Sequence, residues 1–334
     1  MRIGVLTSGG DVPGLNAAIR AVARRALADG VEVLGFRNGW LGLLEDDFMD
    51  LTLRALSGIL PQGGTILGAS RTNPIAPAGT AERVLATAKA HELDGLVVLG
   101  GDGSLRGALE ICERGLPLVG IPKTIDNDVP GTEYCIGFDS GMNAVMDALD
   151  KLHPTAAAHH RIMVVEVMGN RSGWLAVLGG LAGGADVIVS PEISLSLTDI
   201  RDRVLARVER GSKFSIIAVA EGSRIEGIDR ETGMGGAPGT SIGHSLAAAL
   251  GQFMSSTIRV TVLGYVQRGG SPTAFDRITA SRMGAKAVEL ILEGKTGTMV
   301  AMVNGAIVPV PLSEVRQSPR PVDPEACDLA QLFS

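Results

Sequence analysis

The stretch Gly95-Leu96-Val97-Val98-Leu99-Gly100-Gly101-Asp102-Gly103-Ser104-Leu105-Arg106-Gly107 decides the fold. Its first five residues are apolar without alternation, as in a strand covered on both faces. A glycine-rich turn with one carboxylate follows, and helical spacing then runs over Ser104–Arg114 with Ser104 placed to cap it. Strand, glycine turn and helix form the repeating unit of a parallel α/β sheet, in which ligands sit beyond the carboxyl ends of the strands.

Working outward, the same unit recurs. Strands are expected at Ile3–Leu6, Leu116–Ile121, Ile162–Val167, Val187–Val189, Ile216–Ala220 and Ile258–Val266. Helices are expected at Asn16–Ala28, Ala81–His91, Met142–Leu152, Leu175–Ala182, Leu197–Arg210, Ser241–Phe253 and Arg277–Leu292. The chain of 334 residues, 45% hydrophobic, exceeds one typical domain and predicts two domains or joined lobes. Its 45 glycines fall at the ends of apolar runs, as turn positions do. Glu226–Gly239 reads as an exposed loop, and the proline-rich tail after Pro309 as weakly structured except where it docks.

A net charge of -6 offers no basic field for nucleic acid or an anionic membrane, so a polyanionic ligand must be caught by local clusters. The run Arg2–Leu6 is too short for a signal segment, and no apolar stretch is long enough to span a bilayer. A soluble, cytoplasmic protein is the expectation. Cys112, Cys135 and Cys327 share no ligand spacing and read as buried small hydrophobes, and His159 and His160 lack a third metal ligand.

The ends of the strands carry the chemistry. Thr7-Ser8-Gly9-Gly10-Asp11 before a helix suits backbone N–H groups cradling phosphate, although a tight turn explains these residues as well. Asp102 among glycines suits magnesium bridging phosphates, or simply turn stabilisation. In Lys123-Thr124-Ile125-Asp126-Asn127-Asp128, an extended loop projects both carboxylates to one side, one as base and one as hydrogen-bond partner for a polyol; solvated turn chemistry is the plainer alternative. Arg71, Arg161, Arg171, Arg259 and Arg268 stand at loop positions that suit phosphate oxygens, and each singly suits a solvated surface. Together these parts meet the needs of phosphoryl transfer.

Leu6–Asp11, Gly100–Ser104, Thr124–Asp128, Val165–Gly169 and Gln267–Pro272, in this order, resemble the phosphofructokinase family from Met1 to about Val303. The resemblance implies two interleaved Rossmann-like α/β domains with largely parallel sheets. The larger, nucleotide-binding one takes residues 1–137 plus about 267–317, and the smaller, fructose 6-phosphate-binding one about 138–266. It also implies ATP and Mg2+ as phosphoryl donor and cofactor, the 1-hydroxyl of fructose 6-phosphate as acceptor, and a homotetramer whose active sites are completed across a subunit interface.

Carried over by position, Gly10, Arg71, Asp102, Gly103, Ser104 and Gly107 resemble the donor site, with Asp102 on the metal. Asp126 resembles the general base, with Lys123, Thr124 and Asp128 beside it. Arg161 and Arg259, from a neighbouring subunit, resemble the sugar-phosphate site together with Met168, Gly169, Glu221 and Arg268. Two departures stand out: Asn170 then Arg171 replaces the family's usual arginine after Met168-Gly169, and Tyr265 replaces a histidine. Pyrophosphate-using relatives carry Asp where Gly103 stands and Lys where Lys123 stands. Crowding of ATP by that Asp is harder to evade than an added cation, so Gly103 favours ATP.

Arg20, Arg24, Arg54 and Lys213 match effector-site positions of bacterial members, with Asp186, Ser215 and His153 as departures. Rival readings are a pyrophosphate-dependent enzyme, a kinase of NAD or lipid sharing the Gly-Gly-Asp-Gly-Ser turn, and a sugar-phosphate-binding regulatory subunit.

Overall fold

The computed structural model describes residues 1–228 and 241–333. The chain divides into two compact units, Met1–Ser140 with Arg268–Arg320, and Gly141–Gln267 with Pro321–Ser334. Eleven strands and ten α-helices lie in the described residues.

In the first unit the strands are β1 (Arg2–Ser8), β2 (Glu32–Phe36), β3 (Phe48–Asp50), β4 (Gly95–Gly100), β5 (Leu118–Pro122), β10 (Thr298–Val303) and β11 (Ala306–Pro311). They form one sheet in the order β11-β10-β5-β4-β1-β2-β3. The five central strands run parallel, and β3 and β11 pair antiparallel at the edges. Helices α1 (Leu15–Ala28), α2 (Trp40–Glu45), α3 (Thr80–Ala90), α4 (Asp102–Glu113) and α9 (Ala274–Leu292) belong here. Every residue of β4 and β5 is buried, as the unbroken apolar runs require of strands with both faces covered.

The second unit holds β6 (Ile162–Val167), β7 (Val187–Val189), β8 (Ser215–Ala220) and β9 (Ile258–Val262), a parallel sheet ordered β7-β8-β6-β9. Its helices are α6 (Trp174–Ala182), α7 (Leu197–Glu209), α8 (Ile242–Leu250) and α10 (Pro324–Phe333). Helix α5 (Phe138–His159) begins in the first unit, runs on in the second, and continues through Pro154 beyond its expected end.

Several expectations are corrected. The run Ile258–Val266 stops being strand at Val262, because Gly264 adopts φ +51 and a 3-10 turn over Gly264–Arg268 follows, leaving Tyr265 79% exposed. Ser104 is not the cap of α4. The helix starts at Asp102 with Gly101 extended before it, so Asp102 and Ser104 share its first turn. The tail after Pro309 is structured: it finishes β11, forms a 3-10 turn at Leu312–Arg316 and ends in α10. Cys112 is only half-buried. The strands β2, β3, β10 and β11 were not expected. The predicted loop Glu226–Gly239 lies, beyond Ile228, outside the described residues.

Helices α1 and α9 pack closely where Gly284 meets the backbone of α1: a Cβ there would lie 2.7 Å from the Ala18 carbonyl oxygen and 2.8 Å from the Ala21 Cβ. Backbone cannot give way as a flexible side chain can. Gly284→Ala is therefore expected to cost about 1–3 kcal/mol by overpacking, read as a lowered urea midpoint.

Candidate active site

In the first unit, three loops follow the carboxyl ends of β1, β4 and β5. After β1, Gly9 takes φ +88 and its N–H donates to the Ser70 carbonyl at 2.8 Å. The Thr7 hydroxyl donates to the Gly68 carbonyl at 2.6 Å and meets the Thr65 hydroxyl at 3.1 Å. Asn16, buried in the first turn of α1, donates to the Gln62 and Gly63 carbonyls and accepts from the Ile66 N–H at 2.8 Å. These bonds stitch residues 62–71 to β1 and leave a cleft of ≈ 460 Å³ lined by Gly9, Gly10, Asp11, Thr65, Gly68–Ser70 and Arg71. Arg71 is exposed.

After β4, Asp102 opens α4 and its Oδ1 accepts from Nε of Arg106 at 2.8 Å, an i,i+4 pair absent from the sequence expectations. The Ser104 hydroxyl donates to that of Ser8 at 3.1 Å. Gly103 faces open space, with nothing within 4 Å of a Cβ built on it. Gly107 has a packing reason to be glycine, since its Cβ would lie 2.8 Å from Cγ of Pro74.

After β5, the Lys123 N–H donates to the Gly100 carbonyl at 3.0 Å, while its buried ammonium donates to the Gly10 carbonyl at 2.8 Å. Burial, then the neighbouring Arg268 charge, pulls its pKa down to about 8, against the upward pull of Asp126. The loop beyond is a turn, not the expected extended segment, because Asn127 takes φ +52. Asn127, 1% exposed, accepts from the Cys135 N–H at 2.8 Å and donates to the Glu133 carbonyl at 3.1 Å. It thereby anchors the loop between the two carboxylates. The Asp126 N–H donates to the Thr124 hydroxyl at 3.1 Å. Asp128 is buried, and burial followed by the charges of Asp126 and Asp102 pushes its pKa up to about 6.

In the second unit, the loop after β6 is organised by Glu221. Its Oε1 accepts from the N–H groups of Gly169 at 3.1 Å and Asn170 at 2.7 Å, holding Asn170 at φ +54. Buried Gln267 accepts from the Met168 N–H at 3.3 Å.

A model of the Phosphofructokinase family matches residues 2–291. The chain belongs to the phosphofructokinase family. A curated relative from Listeria monocytogenes, "ATP-dependent 6-phosphofructokinase", is 45% identical over 333 residues, covering 100% of this chain and 99% of that protein. A relative of the same name from Halalkalibacterium halodurans matches at 45% identity with the same coverage. Among solved structures, phosphofructokinase from Pichia pastoris in the T-state superposes with a TM-score of 0.85 at 35% identity, over 94% of this chain and 35% of that chain.

In this phosphofructokinase, the residues expected on the sugar phosphate do not all converge. Arg161 precedes β6 and Met168 follows it, so six strand residues separate them by roughly 20 Å. Arg259 pairs in register with Met163, near the Arg161 end of the sheet. Asn170 and Arg171 are both exposed, and of the two it is the Asn170 N–H that donates to Glu221. Arg268 belongs to the first unit, where its Nη1 donates to the Asp11 carbonyl at 3.2 Å. Away from these loops, Arg207, overlooked in the sequence, pairs with Asp186 at 2.7 Å and donates to the Ser215 hydroxyl at 3.3 Å.

Among the described residues, no group of three or more His, Cys, Asp or Glu side chains could by itself hold a metal ion. No described helix is long and apolar enough to cross a membrane.

The raised pKa of Asp128 fixes a sign. Below the ordinary carboxylate pKa of 3.8 the group is neutral in folded and unfolded chain alike and its burial carries no charge penalty; as pH rises from there through about 6 the unfolded chain ionises first, and the folded chain loses stability. Asp128→Asn is expected to stabilise the protein by about 2 kcal/mol at pH 8 and by little at pH 4, read from urea midpoints at both pH values.

Proposed function

We propose that this phosphofructokinase transfers the terminal phosphoryl group of ATP to the 1-hydroxyl of fructose 6-phosphate, with Asp126 as general base. The observation that carries the reading is the meeting of three strand-end loops in one unit, where Lys123 ties the Gly10 and Gly100 carbonyls together and three carboxylates interact. Phosphoryl transfer needs a cradle for the donor, a base for the acceptor hydroxyl and cations for the charge that spreads over the migrating group. The cleft beside Gly9–Asp11 supplies the cradle, and Arg71 on its wall and Lys123 supply cations. Asp126 takes the proton of the hydroxyl, and Thr124 holds the turn that presents it.

Asp102 suits Mg2+: it offers a hard oxygen ligand at the start of α4, near the carboxylates of Asp126 and Asp128. Phosphate oxygens and water would complete its coordination. When bound, the ion draws charge from the phosphate oxygens.

ATP is favoured over pyrophosphate by Gly103, which opens the first turn of α4 to space where a nucleotide's α-phosphate fits. Lys123 adds a cation that either donor tolerates, so its presence does not exclude ATP. In this reading the first unit binds nucleotide and the second binds fructose 6-phosphate through Met168–Arg171 and Glu221. Arg161 and Arg259, at the other end of the β6–β9 pair, serve the site of a neighbouring subunit in a homotetramer.

Three measurements test the reading. Initial rates with fructose 6-phosphate and matched magnesium should show turnover with ATP and none with pyrophosphate; the reverse sinks the donor assignment. Asp126→Ser should lower kcat by at least about 100-fold with a small change in sugar-phosphate KM, as loss of a general base does. Gly103→Asp should raise KM for ATP by roughly tenfold or more through crowding and like-charge repulsion.

A further inference from the structure

We infer that Arg268 is a positioning residue of the phosphoryl-donor loop, and that position 10 is glycine to admit its guanidinium. The inference rests on the functional reading above and extends Arg268 beyond the sugar-phosphate role its sequence position implies.

Three observations converge on it. Nη1 of Arg268 donates to the Asp11 carbonyl at 3.2 Å. A Cβ built on Gly10 would overlap that same Nη1, and Cζ would stand 3.0 Å away. The backbone at Gly10 lies outside the left-handed region, so no backbone conformation demands glycine there. The neighbouring Gly9 differs, needing its φ of +88.

Consecutive carbonyls of the loop are thus held by two cations: Gly10 by Lys123 at 2.8 Å and Asp11 by Arg268 at 3.2 Å. A trans peptide points its C=O and N–H in opposite directions, so fixing these two carbonyls also fixes where the N–H groups of Asp11 and Val12 point. Such N–H groups are what a Gly-rich strand-to-helix turn offers a phosphate. Nε of Arg268 is buried without a partner among the described residues, so Nη1 carries the bond to the loop.

The packing makes the idea testable without unfolding the protein. The group that a Cβ at position 10 would meet is the far end of a flexible side chain, so Gly10→Ala is expected to fold with the guanidinium displaced. Hydrogen–deuterium exchange of a peptide spanning residues 9–14 reads the loop without any substrate, and calorimetric titration with magnesium-ADP reads the donor site without sugar.

Arg268→Ala should speed exchange in that peptide and weaken ADP binding, each by roughly tenfold, the scale of one charge-assisted hydrogen bond. Arg268→Lys should recover part of both. Gly10→Ala should reproduce the Arg268→Ala effects, and the double variant should be no worse than the poorer single one, because both substitutions remove one contact. Unchanged exchange in Arg268→Ala, or effects of the two substitutions that multiply, would overturn the inference. A wild-type chain that shows the exchange coupling yet turns over no fructose 6-phosphate sinks the functional reading and leaves the role of Arg268 standing.

Discussion

Lys123 holds the candidate site together. Its backbone N–H is bonded to the end of β4 and its ammonium to the loop after β1, so one residue at the end of β5 joins three parallel strand ends. Parallel strands deliver their carboxyl ends to one edge of a sheet, but the loops beyond are free to splay unless something ties them. An ammonium on a long stem reaches a neighbouring carbonyl that a backbone group cannot. Burying it has a cost, visible in its lowered pKa, and nearby Asp126 offsets part of that cost.

Charge is distributed around this tie in a way that neutral packing could not achieve. Asp128 is buried near Asp102 and Asp126 and is held up toward neutrality, while Arg106 covers one oxygen of Asp102. The Arg268 charge adds to the cost of burying the Lys123 ammonium. The loops after β1, β4 and β5 thus bring cations and clustered carboxylates into one region of the first unit. In the second unit the same economy is simpler: Glu221 places its charge on two backbone N–H groups and fixes the Met168–Asn170 turn.

Much of this was legible in the residues. The strands β1, β4, β5, β6, β7 and β8 follow from apolar runs, and glycine turns mark the ends of β1 and β4. The strands β2, β3, β10 and β11 were missed: β3, at one edge, has three residues, and β11, at the other, carries prolines that argue against strand, although the sheet edge tolerates them. Ser104 read as a cap because serine favours that position, yet the extended Gly101 already terminates the strand and lets Asp102 enter the helix. Asn127 had no signal at all, since its role lies in bonds to Glu133 and Cys135 and in a left-handed backbone. The residue type and place of Arg268 suggest a phosphate-binding cation but give no sign of its packing against Gly10.

By itself the sequence determined the alternation of strand, turn and helix, the family, and the residue types at the strand ends. These are local properties, written in periodicity and in residue type. Only the tertiary structure decided which loops meet: Lys123 reaches a carbonyl 113 positions away, and Arg268 one 257 positions away. Such pairings depend on strand order and on the space left by glycines, and a side chain's reach across a sheet edge has no period along the chain.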